Sequence, residues 1–289
     1  YVMKSNDIVT KPFIKWAGGK FKLAEQFIDH LPRTFNPHKN KFIEPMVGSG
    51  GFFFRLSPNN AYLSDINKNL ITTYQMVQND VERLILKLEE YKKLHIDEDF
   101  FKEQKKLYNN LSKKGKNNLE IAALFIYLNK TCFNGLYREN KSGEFNVPVG
   151  RKSNGELLPM SVDMDNLRKV NKLLQNVEIA CHSYEQCLEE INQGDFVYID
   201  PPYIPLDKVS FTQYSKNDFG LEDHIKLSNF LEKISEKRAF FMLSNSDTEN
   251  TRKLYHRDAW RIEKFDVSRS IASKAKNRVK AKEVIITNY

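Results

Sequence analysis

The chain has 289 residues, 40% of them hydrophobic and 28% charged, which excludes wholesale disorder and allows one large domain or a domain carrying a substantial insertion. Its 45 lysines and arginines against 37 acids leave a formal charge of +8, which favours a polyanionic partner because neutralised phosphates release condensed counterions. No apolar run reaches the ~20 residues of a membrane span, Cys132, Cys181 and Cys187 form no CxxC pair, and the histidines lack metal-ligand spacing, so the expectation is a cytoplasmic protein with no membrane association, disulfide framework or metal.

In chain order, no secretory signal opens the sequence, and Met3 reads as a start preceded by Tyr1 and Val2. Lys20 to Leu31 has the spacing of a helix, with Leu23, Ala24, Phe27, Ile28 and Leu31 on one face. Phe42 to Met46 is a short apolar run ending at Gly48-Ser49-Gly50-Gly51. Ala61 to Asp65 predicts a second strand, and Asn67 begins a helix. Strand, glycine turn, helix, strand is the opening of a parallel α/β unit. Asp80 is placed to cap a helix running to Leu94; a Lys-rich polar stretch then spans 102–116, and Leu119 to Leu128 is an apolar helix. Asn129 to Pro159 has the composition of a functional loop or hairpin. Strand signals return at Val177–Ala180, Phe196–Ile199, Phe240–Leu243, Arg261–Val267 and Val284–Thr287, with a helix from Leu221 to Ile234 between two of them. The expected organisation is a catalytic α/β domain over residues 1–67 and 159–289, interrupted by a mostly helical, basic insertion over 68–158.

The glycines at 48, 50 and 51 let the backbone turn tightly and a ligand approach without meeting a Cβ. Asp65, ending the next strand, is placed to accept hydrogen bonds from ribose hydroxyls, which together suggests an adenosine-containing cofactor. The spacing departs from GxGxxG, and Gly18-Gly19-Lys20 followed by Phe21 is not a phosphate-binding Walker loop. The sharpest signal is Asp200-Pro201-Pro202-Tyr203 directly after an apolar strand. Two prolines cannot continue a ladder, so the chain leaves the sheet in a stiff loop where open α/β sheets bind ligands. An Asp200 carboxylate and a Pro201 carbonyl can accept both N–H groups of an amine whose lone pair is delocalised, and Tyr203 can stack on an extruded base.

With those residues in view, the chain resembles the Dam-type family of DNA adenine methyltransferases over nearly its whole length. Pro12-Phe13-Ile14-Lys15-Trp16-Ala17-Gly18-Gly19-Lys20 is similar to the family's opening motif, and Phe42 to Gly51 to its cofactor loop. Asp200 to Tyr203 resembles its catalytic tetrapeptide, and Phe133 to Arg138 with Gly143 to Pro148 its DNA-reading hairpin. The resemblance implies a Rossmann-like S-adenosylmethionine-dependent methyltransferase fold with a DNA-recognition insertion. It implies Asp200, Pro201, Pro202 and Tyr203 as catalytic residues. Trp16, Lys20, Glu44, Pro45, Gly48, Ser49, Gly50, Asp65 and Asp200 would line the S-adenosylmethionine site. Lys15, Phe133, Asn134, Leu136, Arg138, Pro148 and Lys152 would contact double-stranded DNA, with Phe133 as a wedge and Arg138 as a base reader. Lys152 departs from relatives with an aromatic residue there. The implied target is adenine N6 within GATC, the implied location the nucleoid when DNA is bound, and a restriction endonuclease acting on the same site is a candidate partner.

The Lys-rich stretch reads more readily as a solvated helix face than as a phosphate track. The acid-free segment Ser268 to Lys282 reads as a phosphate contact, and Ile204 to Asn217 as a lid. An RNA methyltransferase, a non-catalytic DNA-binding scaffold and a nicotinamide oxidoreductase are the competing readings; the hairpin, the intact tetrapeptide and the glycine spacing argue against them in turn.

Overall fold

A computed structural model describes residues 10–94, 97–204, 219–267 and 281–289. The strands are β1 (Phe42–Pro45), β2 (Ala61–Asp65), β3 (Val177–Cys181), β4 (Phe196–Ile199), β5 (Phe240–Ser246), β6 (Arg261–Val267) and β7 (Ala281–Thr287). Among the described residues they form one sheet in the order β3–β2–β1–β4–β5–β7–β6. β7 alone runs against its neighbours, pairing antiparallel with both β5 and β6, while the other pairs described are parallel. Every residue of β1, β2 and β4 is buried, which is why these strands read as continuous apolar runs without alternation. The chain winds outward from β1 to β2 and β3, then returns to place β4 on the other side of β1. The switch point between β1 and β4 is where such sheets open a crevice beyond their strand ends. This is the Rossmann-like methyltransferase architecture expected from the sequence.

The helices are α1 (Ala24–Ile28), α2 (Gly51–Leu56), α3 (Lys68–Asn79), α4 (Val81–Lys93), α5 (Glu98–Lys114), α6 (Asn118–Thr131), α7 (Met164–Leu174), α8 (Leu221–Glu236) and α9 (Glu249–Leu254). α1 is much shorter than the Lys20–Leu31 expectation. Its start is set by tight packing of the Lys20 and Phe21 backbone against Gly51, and Pro32 follows its end. Asp80 does not cap α4 with its side chain; the carboxylate pairs with Arg83 at 2.9 Å instead. The Lys-rich stretch is folded into α5, with Lys102 on Asp99 and Lys113 on Glu144.

Between β2 and β3 the chain builds α3 to α7 and two short hairpins. The hairpins carry the bridges Cys132–Val149, Glu139–Phe145 and Arg151–Leu157. α6 is apolar on nearly every side and sits at the centre of this region, buried from Ile121 to Asn129. α3 packs between the sheet and the helices that follow it. Its Gln75 donates to the Ile179 carbonyl and its Gln78 to those of Leu174 and Val177, while its other side packs on α6. One buried cluster runs from Phe42 and Phe52 through Tyr74 to Leu124 and Phe125. No helix among the described residues is long and apolar enough to cross a membrane.

Candidate active site

The loop after β1 is built around backbone shapes that side chains resist. Met46, Gly48 and Gly50 all have positive φ, at 90°, 48° and 67°. The Met46 and Val47 amides donate to the Ser64 carbonyl, which bends the chain back over the end of β2. At Gly48 an added Cβ would lie 2.6 Å from Cδ1 of Trp16, so the indole rests directly on the loop backbone. Asp65 holds this turn closed: Oδ2 accepts from the Gly48 amide at 3.1 Å and Oδ1 from the Asn67 amide at 2.9 Å. Burial raises its carboxyl above the usual range, with the Asn67, Gly48 and Ile66 amides opposing. Each of its oxygens keeps a second lone pair.

Glu44 and Pro45 lie at the buried end of β1, and Ser49 is buried between its glycines. Glu44 Oε2 accepts from the Phe53 amide at 3.1 Å, in the first turn of α2. Burial raises its carboxyl well above the usual range; the amide opposes this and the charge of Asp200 adds to it. Its engagement is therefore with α2, tying strand to helix under the loop.

Across the switch point, β4 delivers Asp200. Lys20, 7% exposed, reaches Asp200 Oδ2 at 3.1 Å and donates to the Gly18 carbonyl at 2.7 Å. The same ammonium lies 4.6 Å from the centre of the Tyr203 ring. Ser244 on β5 donates to Asp200 Oδ1 at 2.8 Å, with the Tyr198 hydroxyl 3.1 Å away on its other side. Tyr203 donates to Glu283 Oε2 at 2.9 Å, and the Ile204 amide donates to Asn245 Oδ1 at 3.1 Å. Pro201 is buried and Pro202 exposed. The stiff tetrapeptide is thus pinned at both ends, to β5 and β7.

Sequence reasoning brought Lys20, Asp200, Gly48, Asp65 and Trp16 to one region, and the structure places them there. It missed Ser244 and Glu283, which hold Asp200 and Tyr203 from other strands. The polar Ser244-Asn245-Ser246 ending an apolar strand was the available signal for the first. It also missed Ile66, 79% exposed directly after Asp65, an aliphatic face at the crevice edge.

Five of the expected DNA-reading residues, Phe133, Asn134, Leu136, Arg138 and Pro148, lie on the first hairpin. Phe133 is 50% exposed and its amide donates to the Pro148 carbonyl, which brings those two together at the hairpin base. Asn134 adopts a left-handed φ of 55°, and Pro148 is exposed. Leu136 is half-buried. Arg138 is exposed, its Nε donating to Asn146 Oδ1 at 2.8 Å. Lys15 is exposed; its amide and carbonyl both bond the side chain of Asn129, and its stem runs against Gly135. Lys152 stands on the second hairpin, exposed and paired with Glu156 at 2.9 Å. Lys282 is exposed on β7, while 268–280 and 205–217, expected as a phosphate contact and a lid, lie outside the described residues, as do Tyr1, Val2 and Met3. Among the described residues no cluster of three or more His, Cys, Asp or Glu could hold a metal.

The sheet order, with its reversed β7 and a switch point between β1 and β4, is that of a Rossmann-like methyltransferase. Residues 16–271 match the family described as D12 class N6 adenine-specific DNA methyltransferase, and the chain belongs to that family. It is 42% identical over 292 residues to the type II methyltransferase M.MjaIII of Methanocaldococcus jannaschii, covering 96% of this chain and 99% of that one. DNA adenine methylases of Haemophilus influenzae and Escherichia coli are each 33% identical, covering 95% and 98% of this chain and 92% and 95% of theirs.

Proposed function

We propose that this DNA adenine methyltransferase moves the methyl group of S-adenosylmethionine to N6 of an adenine rotated out of duplex DNA, within GATC. The observation that carries the reading is the grip on Asp200: an ion pair from Lys20 and a hydrogen bond from Ser244 at the switch point of the sheet.

The residues fit the cofactor. The Trp16 indole closed on the Gly48 backbone offers an aromatic wall beside the loop, the unpaired acceptor capacity of Asp65 suits ribose hydroxyls, and exposed Ile66 suits the face of an apolar ring. When bound, S-adenosylmethionine supplies an electrophilic methyl group on a sulfonium. The protein's part is alignment and charge. Asp200 and the Pro201 carbonyl accept the two N6 hydrogens, which favours a tetrahedral nitrogen and stabilises its developing positive charge. Lys20 and Ser244 fix the carboxylate so that no reorganisation is needed at the moment of transfer. Tyr203, anchored by Glu283, offers its ring for stacking with an extruded base.

Residues 68–158 serve as the target-recognition part. Phe133 has the exposure a wedge needs, and Asn146 orients Arg138 for a bidentate contact with guanine. Lys15, Asn134, Leu136, Pro148 and Lys152 complete the DNA surface. The type II name of the 42% identical relative supports a restriction endonuclease as partner, and the reduced cysteines fit a cytoplasmic setting.

The test incubates the protein with S-adenosylmethionine carrying a labelled methyl group and two duplexes, one with GATC and one with GTAC. Label on the adenine of GATC alone is expected. Label on both discards the sequence assignment, and label on neither discards the reaction. Asp200→Ala is expected to retain DNA binding within a fewfold and to lose transfer by at least ~100-fold; near-normal turnover would remove the mechanism.

A further inference from the structure

Tyr137 lies between the two residues expected to read the base sequence, Leu136 and Arg138, and its own side chain packs against the interior. Its ring stacks on Trp16, with centroids 5.5 Å apart and planes 19° from parallel, and on Phe125 at 5.3 Å and 26°. Trp16 is the indole that closes on Gly48, so a side chain of the reading hairpin rests on one wall of the donor crevice. A second tie leaves from the hydroxyl. Tyr137 lies 3.2 Å from the Tyr108 hydroxyl, which accepts from Asn69 Nδ2 at 2.8 Å. Asn69 stands in the first turn of α3, whose cap residue Asn67 donates its amide to Asp65. The Tyr137 hydroxyl itself donates to Glu139 at 2.5 Å. A third tie runs beside these: Asn129 Nδ2 bonds the carbonyls of Lys15 and of Gly135, joining the Trp16 segment to the start of the hairpin.

Tyr137 therefore touches both walls of the crevice, one by stacking and one by a hydrogen-bonded relay, while the residues on either side of it carry the base-reading groups. A buried relay of this kind holds one arrangement because breaking any member leaves another unpaired. Anything that fixes Trp16 and the α3 start also fixes the ring between Leu136 and Arg138.

We propose that Tyr137 is a positioning residue that couples donor binding to recognition of the target sequence. The inference rests on the reading of the crevice as the S-adenosylmethionine site and of the hairpin as the DNA reader. Coupling is reciprocal: donor-site occupancy tightens binding of the cognate duplex by the same factor that the duplex tightens the donor.

The experiment measures the Kd for a GATC duplex with and without saturating S-adenosylhomocysteine, which cannot transfer a methyl group. In the parent protein the ratio is expected to be about tenfold, within the usual range for coupled sites. Tyr137→Leu is expected to bring it close to one, with S-adenosylhomocysteine affinity alone changed by less than about threefold. Tyr137→Phe, which keeps the stack and cuts the relay, should recover only part of the ratio. A folded Tyr137→Leu protein with the parent's ratio overturns the proposal. If that variant does not fold, emission decides. The chain has two tryptophans, so in a Trp260→Phe background Trp16 is the sole reporter. A GATC duplex should change its emission more than a GTAC duplex does, and equal responses overturn the proposal. A parent that methylates GATC but shows a ratio of one overturns this inference alone. A parent that binds neither S-adenosylhomocysteine nor GATC overturns the reading beneath it.

Discussion

Both carboxylate oxygens of Asp200 have protein partners, Lys20 on one and Ser244 on the other, and Ser244 in turn meets the buried Tyr198 hydroxyl. Lys20 supplies charge, whereas Ser244 supplies direction. Removing the second without the first separates orientation from electrostatics. Ser244→Ala is expected to lower kcat about tenfold, in line with loss of one hydrogen bond to a charged group, with the KM for the methyl donor within about threefold. Steady-state kinetics on a GATC duplex reads this directly; a variant with unchanged kcat would show that Lys20 alone orients the carboxylate.

At the scale of elements, α8 and α9 are joined behind β5 by His224, which is buried and has Nδ1 2.8 Å from the Tyr255 hydroxyl. Burial pushes the imidazole down to about 4, against a smaller upward pull from Asp223. Because the folded-state value lies below the unfolded one, the neutral ring contributes stability that is present above about pH 6.5 and lost as pH falls through about 4. The loss should amount to a few kcal/mol, since each tenfold change in proton affinity is worth about 1.4 kcal/mol. His224→Gln keeps a partner for Tyr255 and carries no titrating charge. Urea denaturation at pH 7.5 and pH 5 should show a smaller drop for the variant, and equal drops would place the pH sensitivity elsewhere. The same scale shows why some of the molecule could be read from sequence and some could not. β1, β2 and β4 were legible because fully buried parallel strands are unbroken apolar runs, and Asp200-Pro201-Pro202-Tyr203 because paired prolines leave a sheet. α5 was legible as a solvated helix face but not in its bounds, since its lysines leave too few apolar positions to mark a period. Ser244 meets Asp200 across 44 residues of chain and was hinted at only by its polar place at the end of an apolar strand, whereas Glu283 meets Tyr203 across 80 and only the strand order brings it there.

Over the whole molecule the net charge of +8 is concentrated into particular groups by the fold. Lys130, at the end of α6 just before the reading hairpin, has no ion-pair partner among the described residues. Burial, with a smaller contribution from the charge of Lys15, pushes its ammonium down to about 8. A phosphate brought beside this pair would restore the proton. DNA affinity is therefore expected to be full below pH 8 and to fall as pH rises through it. Lys130→Gln should flatten that dependence and reduce the salt slope by about one. Titrations of the duplex at pH 7 and pH 9 check both; a parallel fall in parent and variant would remove Lys130 from the interface.

The continuous buried cluster from Phe42 through Tyr74 to Phe125 bears on how such an enzyme changes its target. Residues 68–158, proposed above as the target-recognition part, share one interior with the sheet, with α3 packed on both and Trp16 stacked on Phe125 and Tyr137. Exchanging residues 68–158 for those of another methylase would cut through that interior and leave two unmatched surfaces. On the proposed reading, new sequence preferences are open to this scaffold through single changes at exposed hairpin positions such as Arg138, where the interior is left alone. Its recognition half is heritable as a surface, not transferable as a module.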